Sequence, residues 1–201
     1  MLNDSSNLLS HTKPGILFVV SAPAGTGKTT LVQMLTDEFD CVVRNISYTT
    51  REPRNGEIPG VDYNFISRKE FEKKIANNDF LEYATVYGNY YGTTLDSVKR
   101  QLESGKHVFL VIDTQGALQL KDKVSAVFVF LEPPSLTVLR QRLIQRMTES
   151  PESVEQRLQW AVEEFKAMSQ YDYRVINDDL NTAYQNLRSI LIAEDHRVLR
   201  K

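Results

Sequence analysis

The stretch Ile16-Leu-Phe-Val-Val-Ser-Ala-Pro-Ala-Gly-Thr-Gly-Lys-Thr29 decides the fold class of this 201-residue chain. Its apolar, β-branched residues from Ile16 to Val20 predict a buried strand, and a helix-like stretch begins at Lys28. A glycine-rich loop lies between them. Strand, loop and helix in this order are typical of a phosphate-binding loop, in which backbone N–H groups and the helix N-terminus hold a polyphosphate.

The loop predicts an ATP site that uses Mg²⁺. Gly25 and Gly27 let the backbone curl so that its N–H groups point inward, and Lys28 adds a positive charge for the β and γ phosphates. The hydroxyl of Thr29 is an oxygen ligand of the kind that Mg²⁺ prefers. The loop follows the G-x-x-x-x-G-K-[ST] pattern, except that the first glycine is replaced by another small residue, Ala22. The predicted ATP-binding residues of this loop are Ala22, Pro23, Ala24, Gly25, Thr26, Gly27, Lys28, Thr29 and Thr30.

Three further segments, His107–Ile112, Ala126–Leu131 and Tyr173–Asn177, have the pattern of strands. Near-continuous apolar runs indicate strands that are buried on both faces, as in a parallel sheet covered by helices. We therefore predict an α/β fold in three layers with a parallel central sheet. The predicted helices are Lys28–Glu38, Arg68–Asn77, Leu95–Ser104, Ser135–Arg146, Ser153–Met168 and Leu180–Glu194.

The character of the sequence changes between Ile46 and Thr93, where Pro, Gly and Tyr become dense. Alternation of apolar and polar residues in Asp62–Ile66 and Phe80–Tyr87 predicts half-exposed antiparallel strands there. We interpret this segment as an insertion within one domain that spans residues 1–201.

Composition excludes several classes of function. Lys and Arg total 24 against 26 for Asp and Glu, so the chain has no basic field for a nucleic-acid polymer. Cys41 is the only cysteine, which excludes an internal disulfide and a multi-cysteine zinc cluster and suggests the reducing cytoplasm. Neither a signal-peptide pattern nor an apolar run of membrane-spanning length is present, so we expect a soluble, cytoplasmic protein with no membrane partner.

Further motifs occur along the chain at Ser47–Glu57 (Ser-Tyr-Thr-Thr-Arg-Glu-Pro-Arg-Asn-Gly-Glu), Asp62–Phe65, Glu82, Gly88–Thr93, Ile112–Gly116 and Val175–Asp179. Together they resemble those of guanylate kinases, and the resemblance covers nearly the whole chain. It implies a three-layer P-loop kinase fold with a small mixed α/β acceptor-binding insertion and a helical lid. The implied regions are a core of residues 15–45 and 94–134, a GMP-binding region 46–93, a lid region 135–157 and a C-terminal core 158–201.

The resemblance implies transfer of the γ-phosphoryl group of MgATP to GMP, and to dGMP, for GTP and dGTP supply and GMP recycling. Arg51 and Arg54 lie three residues apart and could converge on one phosphate dianion. A carboxylate that accepts from guanine N1–H and the N2 amino group discriminates against adenine, which suits Glu82 and Asp113. Thr93 would donate to guanine O6. The implied GMP-binding residues are Ser47, Arg51, Arg54, Tyr63, Glu82, Tyr91, Gly92, Thr93 and Asp113.

Catalysis of this transfer needs alignment and charge neutralisation, because the acceptor oxygen is already ionised. Asn177 matches a segment near the ATP adenine. Val111 departs from the family pattern, where an aspartate is common near magnesium, and Met147 replaces a glycine common in the lid. By resemblance the catalytic cations are Lys28, Arg51, Arg142, Arg146 and Arg157.

Two alternative functions remain open at this point. One is a guanylate-kinase-like module that binds phosphorylated peptides without catalysis, although such modules usually carry damaged phosphate loops. The other is a related kinase for another phosphorylated acceptor, such as a ribose bisphosphate. The partners we expect are ATP and GMP, and the chain could be a monomer or a homodimer. His107 and Trp160 receive no functional role at this stage.

Overall fold

The computed structural model describes residues 8–9, 14–145 and 151–198. Of Pro151 it describes the backbone alone. A 3-10 helix, Ala167–Gln170, follows the sixth α-helix. In chain order, the strands and α-helices are β1 (Leu17–Ser21), α1 (Lys28–Glu38), β2 (Val42–Arg44), β3 (Tyr48–Thr49), β4 (Asn64–Phe65), α2 (Arg68–Ala76), β5 (Phe80–Val86), β6 (Asn89–Thr94), α3 (Leu95–Glu103), β7 (His107–Ile112), α4 (Thr114–Leu120), β8 (Val127–Glu132), α5 (Leu136–Gln145), α6 (Pro151–Lys166), β9 (Tyr173–Ile176) and α7 (Leu180–Asp195).

A five-stranded parallel sheet of order β2-β7-β1-β8-β9 forms the centre of the fold. β1 pairs with β7 on one side and with β8 on the other, and every residue of β1 is buried. This confirms the predicted α/β fold with a parallel central sheet. Because parallel strands all end at the same edge, the loops after β1 and β7 meet there, where α/β proteins place their ligands.

Helices cover both faces of the central sheet. On one face, α1 and α7 bury Leu35 and Leu187 against strand residues such as Phe18. On the other face, α3 and α4 contribute Val98 and Leu120. Burial of a Leu or Phe side chain contributes about 1.5–3 kcal/mol, so these two apolar layers fix the helices on the sheet. The loops at the edge of the sheet are therefore held by a rigid framework.

A second, four-stranded sheet of order β4-β3-β6-β5 lies within residues 48–94. β5 and β6 form an antiparallel hairpin, in agreement with the predicted strand Phe80–Tyr87. The prediction for Asp62–Ile66 was wrong in direction, because the strand there, Asn64–Phe65, pairs with β3 in parallel. The connection of residues 50–63 returns the chain to the start of β3, so the two strands run the same way.

α5 and α6 pack against each other through a small apolar cluster of their own. Val154, Leu158 and Ala161 form an apolar stripe on α6 and pack opposite Leu139 and Leu143 of α5. This pair of helices thus has a core separate from the two faces of the central sheet. Within the part of the chain that the structure describes, no helix is long and apolar enough to cross a membrane.

Candidate active site

The phosphate-binding loop follows β1 and leads directly into α1. Gly25 and Gly27 have φ values of 90° and 97°, in the left-handed region that glycine tolerates best. A Cβ on Gly27 would lie 2.6 Å from Nδ2 of Asn177, so glycine is required there for space as well as for backbone conformation. Thr29 and Thr30 are exposed in the first turn of α1.

The ammonium group of Lys28 lies against the carbonyl oxygens of its own loop. Nζ donates to the carbonyl oxygen of Ala22 at 2.5 Å, and the carbonyl oxygen of Pro23 is 3.4 Å away. Burial raises the pKa values of two carboxyl groups that also line the cleft, those of Asp113 and Glu164, and the charge of Lys28 opposes each rise. Its charge is therefore at the mouth of the loop, where the terminal phosphates of a nucleotide would lie.

Asn177 supports the loop from behind. Its Nδ2 donates to the carbonyl oxygen of Thr26 at 2.6 Å, and the side chain is buried. Arg142 of α5 donates from its two terminal nitrogens to the carbonyl oxygens of Asn177, at 2.9 Å, and Asp178, at 3.3 Å. These contacts tie the loop, α5 and the β9–α7 turn together.

A cleft of about 550 Å³ lies between the phosphate-binding loop, the second sheet and α6. Five of the predicted site residues do not line this cleft: Pro23, Thr26, Thr93, Arg142 and Asn177. Arg146 and Met147 lie outside the described residues. The sequence-predicted site residues that line the cleft are Ala22, Ala24, Gly25, Gly27, Lys28, Thr29, Thr30, Ser47, Arg51, Arg54, Tyr63, Glu82, Tyr91, Gly92, Asp113 and Arg157.

At one end of the cleft, Arg51 is held by a carboxylate that the sequence analysis did not assign. Its two terminal nitrogens donate to Oε2 and Oε1 of Glu57 at 2.9 and 2.8 Å, and its Nε donates to the Tyr91 hydroxyl at 3.1 Å. The backbone N–H of Arg54 also donates to Glu57, at 2.7 Å. Glu57 therefore ties the guanidinium group of Arg51 to the backbone of Arg54. In the sequence, Glu57 follows Arg54 at the same interval of three residues that separates Arg54 from Arg51. This regular spacing is the signal that could have revealed the role of Glu57.

The charges at this end stabilise each other. Burial alone would raise the pKa of Glu57, but hydrogen bonds from Arg51 and from the Arg54 N–H outweigh it and hold that pKa low. Burial likewise opposes the charge of Arg51, while its hydrogen bonds to Glu57 and Tyr91 raise the pKa of the guanidinium above its ordinary value. The guanidinium also lies 5.5 Å from the centre of the Tyr63 ring. Arg51 is thus a fixed cation in an aromatic setting.

At the other end of the cleft, Glu82 of β5 is a buried carboxyl group with only 4% of its surface exposed. Burial raises its pKa to about 7, the charge of Asp113 adds to the rise, and Thr93 on the paired strand opposes it. Among the described residues, Glu82 Oε1 has no hydrogen-bond partner. A buried acceptor without a donor is costly, so this oxygen is ready for a ligand that supplies one.

Asp113 and Glu164 add two half-buried carboxyl groups to the lining of the cleft. Asp113 Oδ1 accepts from the backbone N–H of Gly116 at 2.8 Å, and Glu164 of α6 accepts from the Thr114 hydroxyl at 3.0 Å. Burial raises the pKa of both carboxyls, and Lys28 opposes each rise. Glu164 was not predictable as a site residue, because an acidic residue inside a helix carries no local signal of burial.

Arg157 and Trp160 of α6 meet the turn of the β5–β6 hairpin. The Arg157 guanidinium lies 5.0 Å from the centre of the Tyr87 ring, and the Trp160 ring lies 5.4 Å from the same ring. All three residues line the cleft. Trp160, to which the sequence analysis assigned no function, therefore belongs to the cleft wall.

A family model described as guanylate kinase matches residues 15–194 of the chain. The chain belongs to the guanylate kinase family. A guanylate kinase of Protochlamydia amoebophila (strain UWE25) is 59% identical over 189 residues, which cover 94% of this chain and 96% of that protein. A guanylate kinase of Clostridium perfringens (strain SM101) is 45% identical, with coverage of 96% and 89%.

Solved structures agree with this assignment. The crystal structure of guanylate kinase from Anaplasma phagocytophilum has a TM-score of 0.77 and 31% identity, and covers 94% of this chain and 90% of that one. The SH3-kinase fragment of tight junction protein 3 has a TM-score of 0.54 at 15% identity, and covers 94% of this chain and 61% of that one. The second likeness concerns the fold alone.

Proposed function

We propose that this chain transfers the γ-phosphoryl group of ATP to GMP, giving ADP and GDP, and that it also accepts dGMP. One observation carries the proposal: a complete phosphate-binding loop shares a cleft with a fixed arginine and a buried carboxylate acceptor. The loop suits the donor nucleotide, Arg51 suits the phosphate of an acceptor, and Glu82 suits its base. Family membership supports the same reaction.

Recognition of the base follows from the hydrogen-bonding groups of guanine. Ionised Glu82 accepts from N1–H and the N2 amino group, whereas adenine presents an acceptor at N1 and would face the carboxylate unfavourably. Asp113 lies close enough to Glu82 to raise its pKa, so both carboxyl groups belong to this end of the cleft. Thr93, whose hydroxyl lies 3.4 Å from that of Ser47, donates to guanine O6.

Recognition of the acceptor phosphate uses the opposite end. Arg51 and Arg54 provide the charge, and Tyr63, Tyr91 and Ser47 complete the shell with hydroxyl groups. Because Glu57 already takes both terminal nitrogens of Arg51, the phosphate replaces part of an existing ion pair. Arg51 therefore needs little reorientation when the phosphate binds.

The transfer itself needs positive charge around the moving phosphoryl group. Lys28 provides it at the loop and Arg157 at the wall of α6, and we assign Arg142 and Arg146 to the same task. Thr26 and Pro23 shape the loop that holds the donor, and Asn177 fixes it from behind. The acceptor phosphate oxygen attacks without a strong general base.

The cleft fits a magnesium ion. The exposed Thr29 hydroxyl and the carboxyl group of Glu164 are oxygen donors that line it. When bound with ATP, Mg²⁺ neutralises phosphate charge and orients the transferred group. Among the described residues, no group of three or more His, Cys, Asp or Glu side chains could hold a metal ion alone. Phosphate oxygens of a bound nucleotide would supply the remaining ligands.

We assign residues 46–93 to GMP binding and residues 135–157 to a lid that closes over the phosphates. Closure would exclude water from the transferred group. We place the enzyme in the cytoplasm, in purine nucleotide metabolism, with ATP and GMP as its partners. No observation favours a role in peptide binding.

A panel of nucleoside monophosphates with MgATP, read as ADP formation, tests the proposal. We expect GMP and dGMP to support turnover and AMP, CMP and UMP to support little. Lys28→Ala should abolish turnover, and Lys123→Ala, an exposed lysine outside the cleft, should not change it. Absence of ADP release with GMP, or turnover only with a sugar bisphosphate, would refute the proposal in favour of a binding module or another kinase.

A further inference from the structure

Gly116, in the first turn of α4, packs its main chain directly against the carboxyl group of Glu82. A Cβ placed on Gly116 would lie 2.4 Å from Oε2 of Glu82, 3.2 Å from its Cδ and 3.3 Å from Oδ1 of Asp113. Contacts below 3.0 Å do not occur for real Cβ atoms, so an alanine here requires a neighbour to move. The missing side chain is thus what lets the carboxyl group lie against the helix.

The backbone of α4 does not itself need glycine at this position. Gly116 lies within the helix and does not have a positive φ. In a helix, glycine is less favourable than alanine by roughly 0.5–1 kcal/mol. Glycine at position 116 therefore lowers the stability of α4. The contact with the Glu82 side chain, and not a turn, explains its presence.

The two groups that a methyl would meet are unequal in their freedom to move. Asp113 Oδ1 accepts the hydrogen bond of the Gly116 N–H at 2.8 Å and is held to the same turn. Glu82 meets the methyl with Oε2, the far end of a longer side chain that lines the cleft; Thr93 also holds this carboxyl group, but Oε1 has no hydrogen-bond partner among the described residues. A methyl on residue 116 would therefore displace the Glu82 carboxyl group away from α4.

We propose that Gly116 is a positioning residue for base recognition, because its missing side chain sets the depth at which Glu82 meets guanine. This inference rests on the proposed function. A displaced carboxylate would approach the guanine edge too closely, and the cost would fall on GMP and not on ATP. One methylene in a fitted pocket changes recognition by about 10- to 200-fold, so the effect is measurable.

Size compensation between the two positions tests the inference. We expect Gly116→Ala to raise the KM for GMP about tenfold or more while changing the KM for ATP less than about twofold. Glu82→Asp withdraws the carboxyl group by one methylene, so alone it should also raise the KM for GMP. In the Gly116→Ala background, however, Glu82→Asp should lower that KM, because the shorter side chain makes room for the methyl group.

Gln119→Ala is the matched control. Gln119 is on the same helix and donates to the Tyr83 carbonyl oxygen of the same strand at 2.7 Å, but it does not line the cleft. Its loss should leave the KM for GMP unchanged. If Gly116→Ala does not fold, the double variant with Glu82→Asp should fold, since the clash is relieved.

Three results would overturn the role of Gly116: an unchanged KM for GMP in Gly116→Ala, effects in the double variant that are the product of the single ones, or a double variant that stays unfolded. Turnover of GMP by the wild-type chain is measured first in the same assay. Its absence would refute the proposed function, whereas only the ratios between variants refute the role of Gly116.

Discussion

Glu82 combines a cost in stability with the role in base recognition that we propose for it. Its carboxyl group is buried, and its pKa of about 7 lies well above the ordinary value of 4.5. The fold therefore favours the protonated form, whereas the proposed contact with guanine needs the ionised form as an acceptor. Between about pH 4.5 and 7 the folded chain binds more protons at this site than the unfolded chain, so Glu82 lowers the free energy of unfolding as pH rises.

We expect Glu82→Gln to stabilise the ligand-free protein, and to do so more at high pH. The neutral amide does not ionise, so the gain over wild type grows across the window and reaches roughly 3 kcal/mol above pH 7. Urea unfolding at pH 5.5 and pH 8 measures the difference, and Glu103→Gln on the exposed face of α3 controls for the loss of one carboxylate. An equal gain at both pH values would contradict the expectation. The same variant should bind GMP more weakly and ATP about as well.

At the scale of elements, α6 joins the second sheet to the start of α4. Along one helix it carries Arg157 and Trp160 to the hairpin turn and Glu164 to the start of α4. The hairpin turn provides Tyr87, which both side chains from α6 contact. A change in the distance between α6 and the hairpin therefore alters the surroundings of Arg157 and Trp160 together.

Trp160 is the only tryptophan of the chain, so its fluorescence reports on this contact. We expect Tyr87→Ala to shift the emission to longer wavelength, because the indole ring becomes more exposed to water. A cation–π contact contributes about 0.5–1 kcal/mol at exposed sites, so kcat should fall about two- to fivefold as Arg157 loses the ring. Tyr83→Ala, in the strand β5 that leads to this turn but outside the cleft lining, should change neither quantity. Unaltered emission in Tyr87→Ala would show that the two rings are not in contact.

At the scale of the whole molecule, residues at the carboxyl ends of the central strands (the carboxyl edge) differ in role from residues at the amino ends (the amino edge). The carboxyl edge carries the loop and the cleft. At the amino edge, His107 begins β7 and is completely buried, with Nδ1 accepting from the Ile16 N–H at 3.2 Å and Nε2 lying 3.3 Å from Oδ1 of Asp195 in α7. The pair of His107 and Asp195 joins β7 to α7. It lies at the end of the strands opposite the phosphate-binding loop.

We expect His107→Ala to destabilise the chain by about 3–5 kcal/mol, because it leaves a carboxyl group and a backbone N–H buried without this partner. Substrate KM values measured well below the melting temperature should stay the same. His196→Ala is the control, since His196 also approaches Asp195, at 3.7 Å, but its side chain is 58% exposed. Urea unfolding gives the comparison. A loss of substrate binding in folded His107→Ala would show that the amino edge influences the cleft.

The sequence by itself determined the parts of this protein that depend on neighbouring residues. β1, the loop and α1 were predictable because apolar runs, glycines and a helix start are local patterns, and the predicted bounds of α1 and β7 agree with the structure. Short elements were not predictable: β2 and α4 have three and seven residues, too few to show a period. The direction of β4 depended on the path of a long connection.

Tertiary structure alone decided which charged and small residues meet. No local pattern relates Gly116 to Glu82 or Glu164 to Thr114, because these contacts join separate elements through packing. The resemblance to guanylate kinases named Glu82, but only its burial explains its pKa near 7. Sequence thus indicated the chemical groups of the site. Folding set their distances and their burial, on which both charge and recognition depend.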